Sequence, residues 1–269
     1  MSGVVHGFVR LNKLLAERGV GSRRRCDAIV SEGRVRIDGR VVRELGTKVD
    51  PVAAVVEVDG RELPRPRRVV YALHKPPGVV CTSAPEETRP RAIDLVRDPG
   101  GARLFPVGRL DADSEGLLLL TNDGDLANRI AHPRYGMPKT YFVEVRGRVE
   151  PADLEKIRRG VWLAEGRTAG ARVAVRKLLA ERTVLLVTIR EGMTREIRRA
   201  FAKVGYGVLR LKRVAIGPIS VRGLHPGAYR RLEREEIEAL TAPAEARTRA
   251  AEARSRAAEA RTRETEART

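Results

Sequence analysis

The residue types best suited to chemistry are three carboxylates within five positions, in the stretch GRLDADSEGL at 108–117. Asp111, Asp113 and Glu115 stand directly before the apolar run LLLLT, so they occupy a loop ahead of a predicted strand. The same residues imitate the start of a calcium-binding loop. Asn122, however, stands where the bidentate glutamate is due, and a strand rather than a helix precedes the loop. The pattern favours a functional carboxylate, and a purely structural turn stays open.

One predicted strand carries an aromatic side chain that could meet a flat ligand. In KTYFVEV at 139–145, period-two alternation puts Tyr141 on the same face as Val143 and Val145. A tyrosine on an otherwise aliphatic face can present its ring to a base. It can equally be a core aromatic whose hydroxyl is hydrogen-bonded.

A predicted helix, MTREIRRAFAKVG at 193–205, brings several cations together. Its apolar stripe at helical spacing consists of Ile197, Ala200, Phe201 and Val204. Arg198 falls at the border of that stripe, so its stem can be buried while its head reaches a pocket. The remaining cations point away from the stripe, where solvent or phosphates would lie: Arg195, Arg199 and Lys203.

The elements ahead of these candidates form a small basic module. RLNKLLAERG predicts a helix that ends at Gly19, and Ser22 caps a second helix, RRRCDAIVSEG. Asp38-Gly39 predicts a hairpin with a primed turn, and Asp59-Gly60 a second one. Three arginines in the first turn of a helix oppose the helix dipole, which favours a docked phosphate there over a solvated surface. These are Arg23, Arg24 and Arg25, and Arg10, Lys13 and Arg34 could extend the patch.

The overall charge indicates a polyanionic partner. Lys and Arg number 53 against 35 Asp and Glu, a formal net charge of +18 and a pI near 10.9. Nucleic acid suits this composition better than a membrane surface, because the chain has no long apolar run and only 4% aromatic residues. Cys26 and Cys81 form no metal-binding pair and are predicted to be small buried apolar residues in a reducing compartment.

The chain divides into three regions by composition. Residues 7–65 predict a compact α+β module, followed by a proline-containing linker. Residues 69–240 mix strands and helices without regular βαβ alternation, which predicts an α+β fold with a mixed, mainly antiparallel sheet flanked by helices. Residues 241–269 repeat Ala-Glu-Ala-Arg motifs every seven positions. Alanine is too small for a stable seam, so a solvated helix or disorder is expected there.

Several motifs resemble known protein families. RLNKLLAERGVGSRRRCDAIVSEGRVRIDGRVV is similar to a ribosomal-protein-type RNA-binding domain. GRLDADSEGLLLLTNDGDLANRIAHP resembles the signature of pseudouridine synthases that modify ribosomal RNA. HKPPGVV, PKTYFVEV and EGMTREIRRAF resemble the other motifs of that family in the expected order. The resemblance covers residues 8–240.

The resemblance implies an enzyme that isomerises uridine in ribosomal RNA without cofactor or metal, as a cytoplasmic monomer. It assigns catalysis to Asp111, an active-site aromatic to Tyr141 and the basic partner of Asp111 to Arg198. RNA contacts are predicted at Arg109, Leu110, Lys139, Arg195 and Arg199, besides Arg10, Lys13 and Arg23–Arg25 of the first module. PEETRPRAIDLV favours the large-subunit branch. A non-catalytic RNA-binding or ribosome-assembly factor is the alternative. The chemical route, whether attack on the base or the sugar or an elimination, stays open.

Overall fold

The computed structural model describes residues 7–84 and 86–242, and they form two compact units. The first unit comprises the chain up to Val69 together with Asp98–Arg103. The second comprises Val70–Arg97 and the chain from Leu104 onward. Residues 243–269, which make up nearly all of the predicted repeat tail (241–269), lie outside the described residues.

The first unit packs two helices beside short strands. Its elements are β1 (Val9–Arg10), α1 (Leu11–Glu17), α2 (Arg23–Ser31), β2 (Val35–Ile37), β3 (Arg40–Val42), β4 (Lys48–Val49), β5 (Val56–Val58) and β6 (Arg61–Glu62). The four-stranded sheet has the order β3-β2-β5-β6, and β1 pairs with β4. Leu15, Cys26, Val35 and Val56 are fully buried in the core of this unit.

Local sequence signals explain how these elements begin and turn. The Ser22 hydroxyl accepts a hydrogen bond from the Arg25 backbone N–H at 3.2 Å, which confirms the predicted helix cap. Asp38 and Gly39 have φ of 48° and 79°, the left-handed pair that a primed hairpin turn needs. Asp59 and Gly60 repeat this geometry between β5 and β6. Both predicted hairpins are therefore confirmed.

A mixed sheet forms the centre of the second unit. Its strands are β7 (Val70–Lys75), β8 (Phe105–Pro106), β9 (Glu115–Thr121), β10 (Lys139–Arg146), β13 (Arg172–Leu178), β14 (Arg182–Ile189), β15 (Val208–Ile216), β16 (Ile219–Ser220) and β17 (Tyr229–Arg231). The main order is β13-β14-β10-β15-β9-β7-β17, with β16 on β15 and β8 on β9. Only the β15–β9 pair is parallel. The predicted mixed, mainly antiparallel sheet is confirmed.

Helices and a small hairpin complete this unit. They are α3 (Gly124–Ala131), α4 (Pro151–Arg159), α5 (Glu196–Lys203), α6 (Arg234–Thr241), and a separate hairpin of β11 (Trp162–Leu163) and β12 (Gly166–Arg167). Short 3-10 turns occur at Ala92–Leu95 and Pro133–Tyr135. A core of leucines from β9 and apolar residues of α3, β15 and α6 lies on one side of the sheet. No helix within the described ranges is both long and apolar enough to cross a membrane.

Some predicted elements differ from the observed ones. LFPVGRL was predicted as a strand, yet only Phe105–Pro106 pairs, because Gly108 (φ 71°) turns the chain into the acidic loop. The predicted helix from Met193 begins at Glu196, because Arg195 takes left-handed backbone angles (φ 51°, ψ 32°). Strand β13 was missed: it is a polar edge strand with most side chains exposed.

Candidate active site

A cavity of about 440 Å³ opens in the second unit, a size suited to a small organic group such as a nucleobase. Its walls come from the acidic loop before β9, the start of β10, the end of β14, the turn before α5, and β15. Six of the eight residues predicted to be functional in this unit line it: Arg109, Leu110, Asp111, Lys139, Tyr141 and Arg195. Arg198 and Arg199 are not among its lining residues.

Backbone contacts fix the shape of the acidic loop. The Ser114 N–H donates to the Asp111 carbonyl at 3.1 Å, and the Gly78 N–H donates to the Ala112 carbonyl at 2.7 Å. The Leu110 N–H points to the Cys81 sulfur at 3.4 Å. Asp111 is therefore held on a loop tied to the segment that follows β7, with about a third of its side chain exposed.

A buried arginine on β15 braces the same loop at both ends. Arg213 is 2% exposed, and its Nε donates to the Leu117 carbonyl at 2.7 Å while Nη1 donates to the Arg109 carbonyl at 3.3 Å. Its Nη2 is buried without a hydrogen-bond partner among the described residues, and the Arg213 side chain lines the cavity.

The close pairing of β15 and β9 requires a glycine. Gly116 lies opposite Arg213 in the parallel register and has φ of 114°. A Cβ at position 116 would lie 2.2 Å from the Arg213 carbonyl oxygen. Gly116 thus allows the backbone approach that places Arg213 beside the loop.

Arginines neutralise the acidic loop, but not in the predicted pairing. Arg195 Nη1 lies 3.6 Å from Asp111 Oδ2, and the same guanidinium donates two hydrogen bonds of 3.1 Å to Asp113. Arg198 Nη2 lies 3.4 Å from Asp113 Oδ2, and Arg198 Nη1 donates to the Val208 carbonyl. The predicted Arg198–Asp111 pair was wrong: the left-handed turn at Arg195 directs that side chain over the loop, and Arg198 contacts Asp113.

This arrangement differs from a calcium site. Partial burial tends to raise the pKa of Asp113, but the hydrogen bonds from Arg195 and the charge of Arg198 outweigh it, so the pKa lies below its usual value. The same hydrogen bonds raise the pKa of Arg195. The Glu115 carboxylate accepts from Arg210 at 2.6 Å. Within residues 7–84 and 86–242, no three His, Cys, Asp or Glu side chains are grouped to hold a metal ion.

Tyr141 and Lys139 project into the cavity from the start of β10. Tyr141 is 7% exposed and shares the buried face with Val143 and Val145, as the alternation predicted. Lys139 Nζ lies 3.5 Å from the carbonyls of Met137 and Glu191. Burial, followed by the charge of Arg213, lowers the pKa of Lys139, while Glu196 opposes this shift.

A carboxyl pair supports the turn that carries Arg195. Glu196 is 5% exposed and lines the cavity; its Oε2 accepts from the Met193 N–H at 3.0 Å. Its carboxyl group also shares a hydrogen bond with that of Glu191. Burial, and then the charge of Glu191, raise the pKa of Glu196 to about 7. The Met193 N–H and the Glu191 carboxyl therefore both contact Glu196 within this turn.

One further prediction needs correction, and the RNA contact of Arg199 stays a prediction. The Arg199 side chain is 30% exposed, and its guanidinium forms a two-pronged ion pair with Glu165 at 2.8 and 2.5 Å. Cys26 is fully buried as predicted, whereas Cys81 is partly exposed and lines the cavity. Glu196 and Arg213 were missed. A signal for Arg213 existed, because alternation along β15 places it on the same face as Leu211.

The predicted basic patch of the first unit lies at the start of α2. Arg23, Arg24 and Arg25 are all exposed, and Arg10 at the end of β1 is exposed too. Arg23 donates to the Asn12 side chain at 3.2 Å. Two of the cations are partly neutralised: Lys13 lies 3.7 Å from Glu17, and Arg34 pairs with Asp59 and Glu32. The three consecutive arginines thus form an exposed positive group at the start of α2.

The fold, the cavity and its carboxylate loop indicate the class of enzyme to which the protein belongs. The chain belongs to the RNA pseudouridylate synthase family, which residues 69–203 match, and residues 9–55 match the S4 domain. The acidic loop, Tyr141 and the turn before α5 all lie within the first of these matches. The protein is therefore an RNA pseudouridine synthase with an S4 domain, as the sequence motifs predicted.

Similar proteins cover most of the chain. An uncharacterized RNA pseudouridine synthase of Aquifex aeolicus (strain VF5) is 42% identical over 234 residues, which cover 86% of this chain and 93% of the relative. Ribosomal large subunit pseudouridine synthase B of Bacillus subtilis (strain 168) is 39% identical over 238 residues, covering 88% and 97%. A crystal structure of a pseudouridylate synthase is similar with a TM-score of 0.61 at 29% identity, covering 86% of this chain and 99% of that one.

Proposed function

We propose that this protein isomerises a specific uridine to pseudouridine in large-subunit ribosomal RNA, with Asp111 as the catalytic carboxylate. The names of similar proteins support the substrate class, since the Bacillus subtilis relative is a large-subunit enzyme and covers most of the chain. In this proposal the enzyme acts as a monomer in the cytoplasm, where ribosomal RNA is found.

One observation carries the catalytic assignment. Asp111 and Tyr141 line the same cavity, which is large enough for a base, and the Arg195 guanidinium lies 3.6 Å from the Asp111 carboxylate. The Asp111 carboxylate thus lies beside a cation and at the place where a base would lie.

The reaction rearranges bonds within one nucleotide. The bond between uracil N1 and ribose C1′ breaks, the base turns, and a bond forms between C5 and C1′. C5 then loses its proton and N1 gains one, so atoms and electrons balance within the substrate and water. The Asp111 carboxylate initiates the cleavage, and the Tyr141 ring packs against the detached uracil and keeps it in the cavity while it turns.

Reaching the base requires extrusion from the RNA stack, which costs a few kcal/mol. Contacts between arginines and phosphates can offset that cost. Arg109 is exposed at the cavity rim, and Arg195 is 44% exposed beside it. The basic patch at Arg23–Arg25 holds folded RNA by its backbone and shape, as expected for recognition of structured RNA.

Pseudouridine mapping tests the proposal. Wild-type protein, Asp111→Asn and Asp113→Asn are incubated with deproteinised large- and small-subunit ribosomal RNA. We expect modification of a large-subunit uridine by wild type, none by Asp111→Asn, and reduced but measurable modification by Asp113→Asn, which is a matched control in the same loop. Equal modification by Asp111→Asn and wild type would refute the catalytic assignment. Modification confined to small-subunit RNA would refute the substrate assignment.

A further inference from the structure

The chain's single tryptophan lies on the surface of the second unit, outside the cavity. Trp162 is 69% exposed at the start of the β11–β12 hairpin. Only 4% of the residues are aromatic, and the other large apolar side chains of this unit are mostly buried. A wide, flat ring left in water on such a polar surface indicates a contact with a partner.

Backbone contacts fix the position of the hairpin that carries this ring. The residues that flank it are joined by two hydrogen bonds of 3.0 Å: the Thr168 N–H donates to the Val161 carbonyl, and the Val161 N–H donates to the Thr168 hydroxyl. A Cβ on Gly160 would lie 2.2 Å from the Thr168 carbonyl oxygen, and one on Gly170 would lie 2.3 Å from that of Arg158. The hairpin therefore packs backbone to backbone against the end of α4, so binding of a partner at Trp162 requires little reordering of the backbone.

Arginines lie in the hairpin and in the last turn of α4 against which it packs. Arg167 lies directly opposite Trp162 in the hairpin register, and its Nη2 donates to the Arg159 carbonyl at 3.1 Å. Arg167 has no carboxylate partner among the described residues. Arg158 and Arg159, both exposed in the last turn of α4, share one carboxylate, that of Glu155, and Glu165 of the hairpin turn pairs with Arg199. Arg167 therefore offers an uncompensated cation on the strand opposite the exposed ring.

Two contacts brace the hairpin against the wall of the cavity. The Ala169 N–H donates to Glu191 Oε1 at 2.5 Å. Glu165, at the hairpin turn, holds the guanidinium of Arg199 on α5. Glu191 and α5 flank the turn at Gly192–Glu196, which lines the cavity. The hairpin that carries Trp162 is thus joined by side-chain contacts to the residues that flank one wall of the cavity.

We propose that Trp162 and Arg167 form a second RNA-contact surface, at which an unpaired base of the substrate RNA stacks on the indole and an adjacent phosphate meets the guanidinium. This inference rests on the proposed function, because the partner is the RNA that enters the cavity. A combination of stacking rings and arginines is the usual chemistry for holding single-stranded RNA.

Tryptophan fluorescence tests the surface directly, since Trp162 is the sole indole of the chain. Full-length protein, excited at a wavelength selective for indole, is titrated with a single-stranded oligouridylate and, in parallel, with heparin. We expect saturable quenching by the RNA and little by heparin, because heparin carries charge but no bases. Asp111→Asn should give the same quenching as wild type, which separates this surface from catalysis.

Binding of the same oligouridylate by three proteins then separates stacking from mere apolarity. Trp162→Leu should weaken binding at least about fivefold, the loss expected for one stacked base. Trp162→Phe, which keeps a ring, should stay within about threefold of wild type. Melting temperatures of both variants should match wild type, because the replaced side chain is exposed.

Four outcomes would overturn the inference: no quenching by RNA, equal quenching by heparin, unchanged binding by Trp162→Leu, or a response only to anionic phosphatidylglycerol vesicles. If wild type quenches on RNA yet forms no pseudouridine in any ribosomal RNA, the proposed function fails while this surface stands. If Asp111→Asn abolishes modification but Trp162→Leu binds and modifies like wild type, only the surface fails.

Discussion

The carboxyl pair of Glu196 and Glu191 makes the stability of the second unit depend on pH, and Glu196→Gln should remove that dependence. In the unfolded chain Glu196 loses its proton around its ordinary pKa of 4.5, whereas in the folded protein the pKa is about 7. Between these values the folded state binds the extra proton, so stability falls as pH rises from about 4.5 to 7 and then levels off.

The size of this effect follows from the two pKa values. A rise from 4.5 to about 7 corresponds to about 3 kcal/mol, lost in full above pH 7. The groups that face Glu196 are Glu191, which adds to the loss, and Lys139, which opposes it. A glutamine can still accept from the Met193 N–H and donate to Glu191 while carrying no charge. Glu196→Gln should therefore lie within about 1 kcal/mol of wild type near pH 5 and exceed it by up to about 3 kcal/mol at pH 8.

Urea unfolding at pH 5, 6, 7 and 8 measures this difference. Far-UV circular dichroism is the suitable probe, because the single tryptophan is exposed and its emission reports little on the core. The first unit unfolds equally in both proteins, so its contribution cancels in the comparison. Glu238→Gln, an exposed glutamate on α6 paired with Arg234, is the control and should change the profile little. A decline of Glu196→Gln with pH as steep as that of wild type would refute the reasoning.

Three further results are expected. Arg195→Ala should slow single-turnover pseudouridine formation about 5- to 10-fold, because a partly exposed ion pair at 3.6 Å contributes about 1 kcal/mol. An unchanged rate would exclude Arg195 as the partner of Asp111. Replacing residues 23–25 by alanine should weaken RNA binding and reduce the slope of log affinity against log salt concentration by about 2. An identical slope would mean that these arginines contact no phosphates. Gly116→Ala should lower the free energy of unfolding by more than about 2 kcal/mol, since the added Cβ would lie 2.2 Å from the Arg213 carbonyl oxygen. Thermal unfolding measures this, and an unaltered melting temperature would contradict the close approach of the two strands.

Local pattern was enough to predict much of the fold. The alternation around Tyr141, the Ser22 cap and the two Asp-Gly turns each depend on residues near in sequence, and all were found as predicted. Strand β13 escaped because its side chains are mostly exposed on both faces, so no alternation marks it. Short pairs such as β11–β12 escaped for a related reason: two residues per strand carry no period.

The sequence predicted most of the residues that line the candidate site, but it did not predict which arginine pairs with which carboxylate. Motif resemblance pointed to the loop of Asp111 and the helix of Arg198. The exchange of partners between Arg195 and Arg198 depends on a single left-handed backbone conformation at Arg195, and a non-glycine residue rarely adopts it. The role of Arg213 depends on contacts across about a hundred residues of sequence, such as that with Leu117, whereas Glu196 contacts Met193 and Glu191 within an irregular turn. A helical or strand period does not report such contacts.

The position of β15 means that the cavity is completed late in the sequence. This strand lies between β10 and β9, which both precede it in the chain, while β16 and β17 follow it. Arg213 on β15 lines the cavity and donates hydrogen bonds to the carbonyls of Arg109 and Leu117. A nascent chain that has not yet reached β15 therefore contains all residues of the first unit but lacks one wall of the cavity.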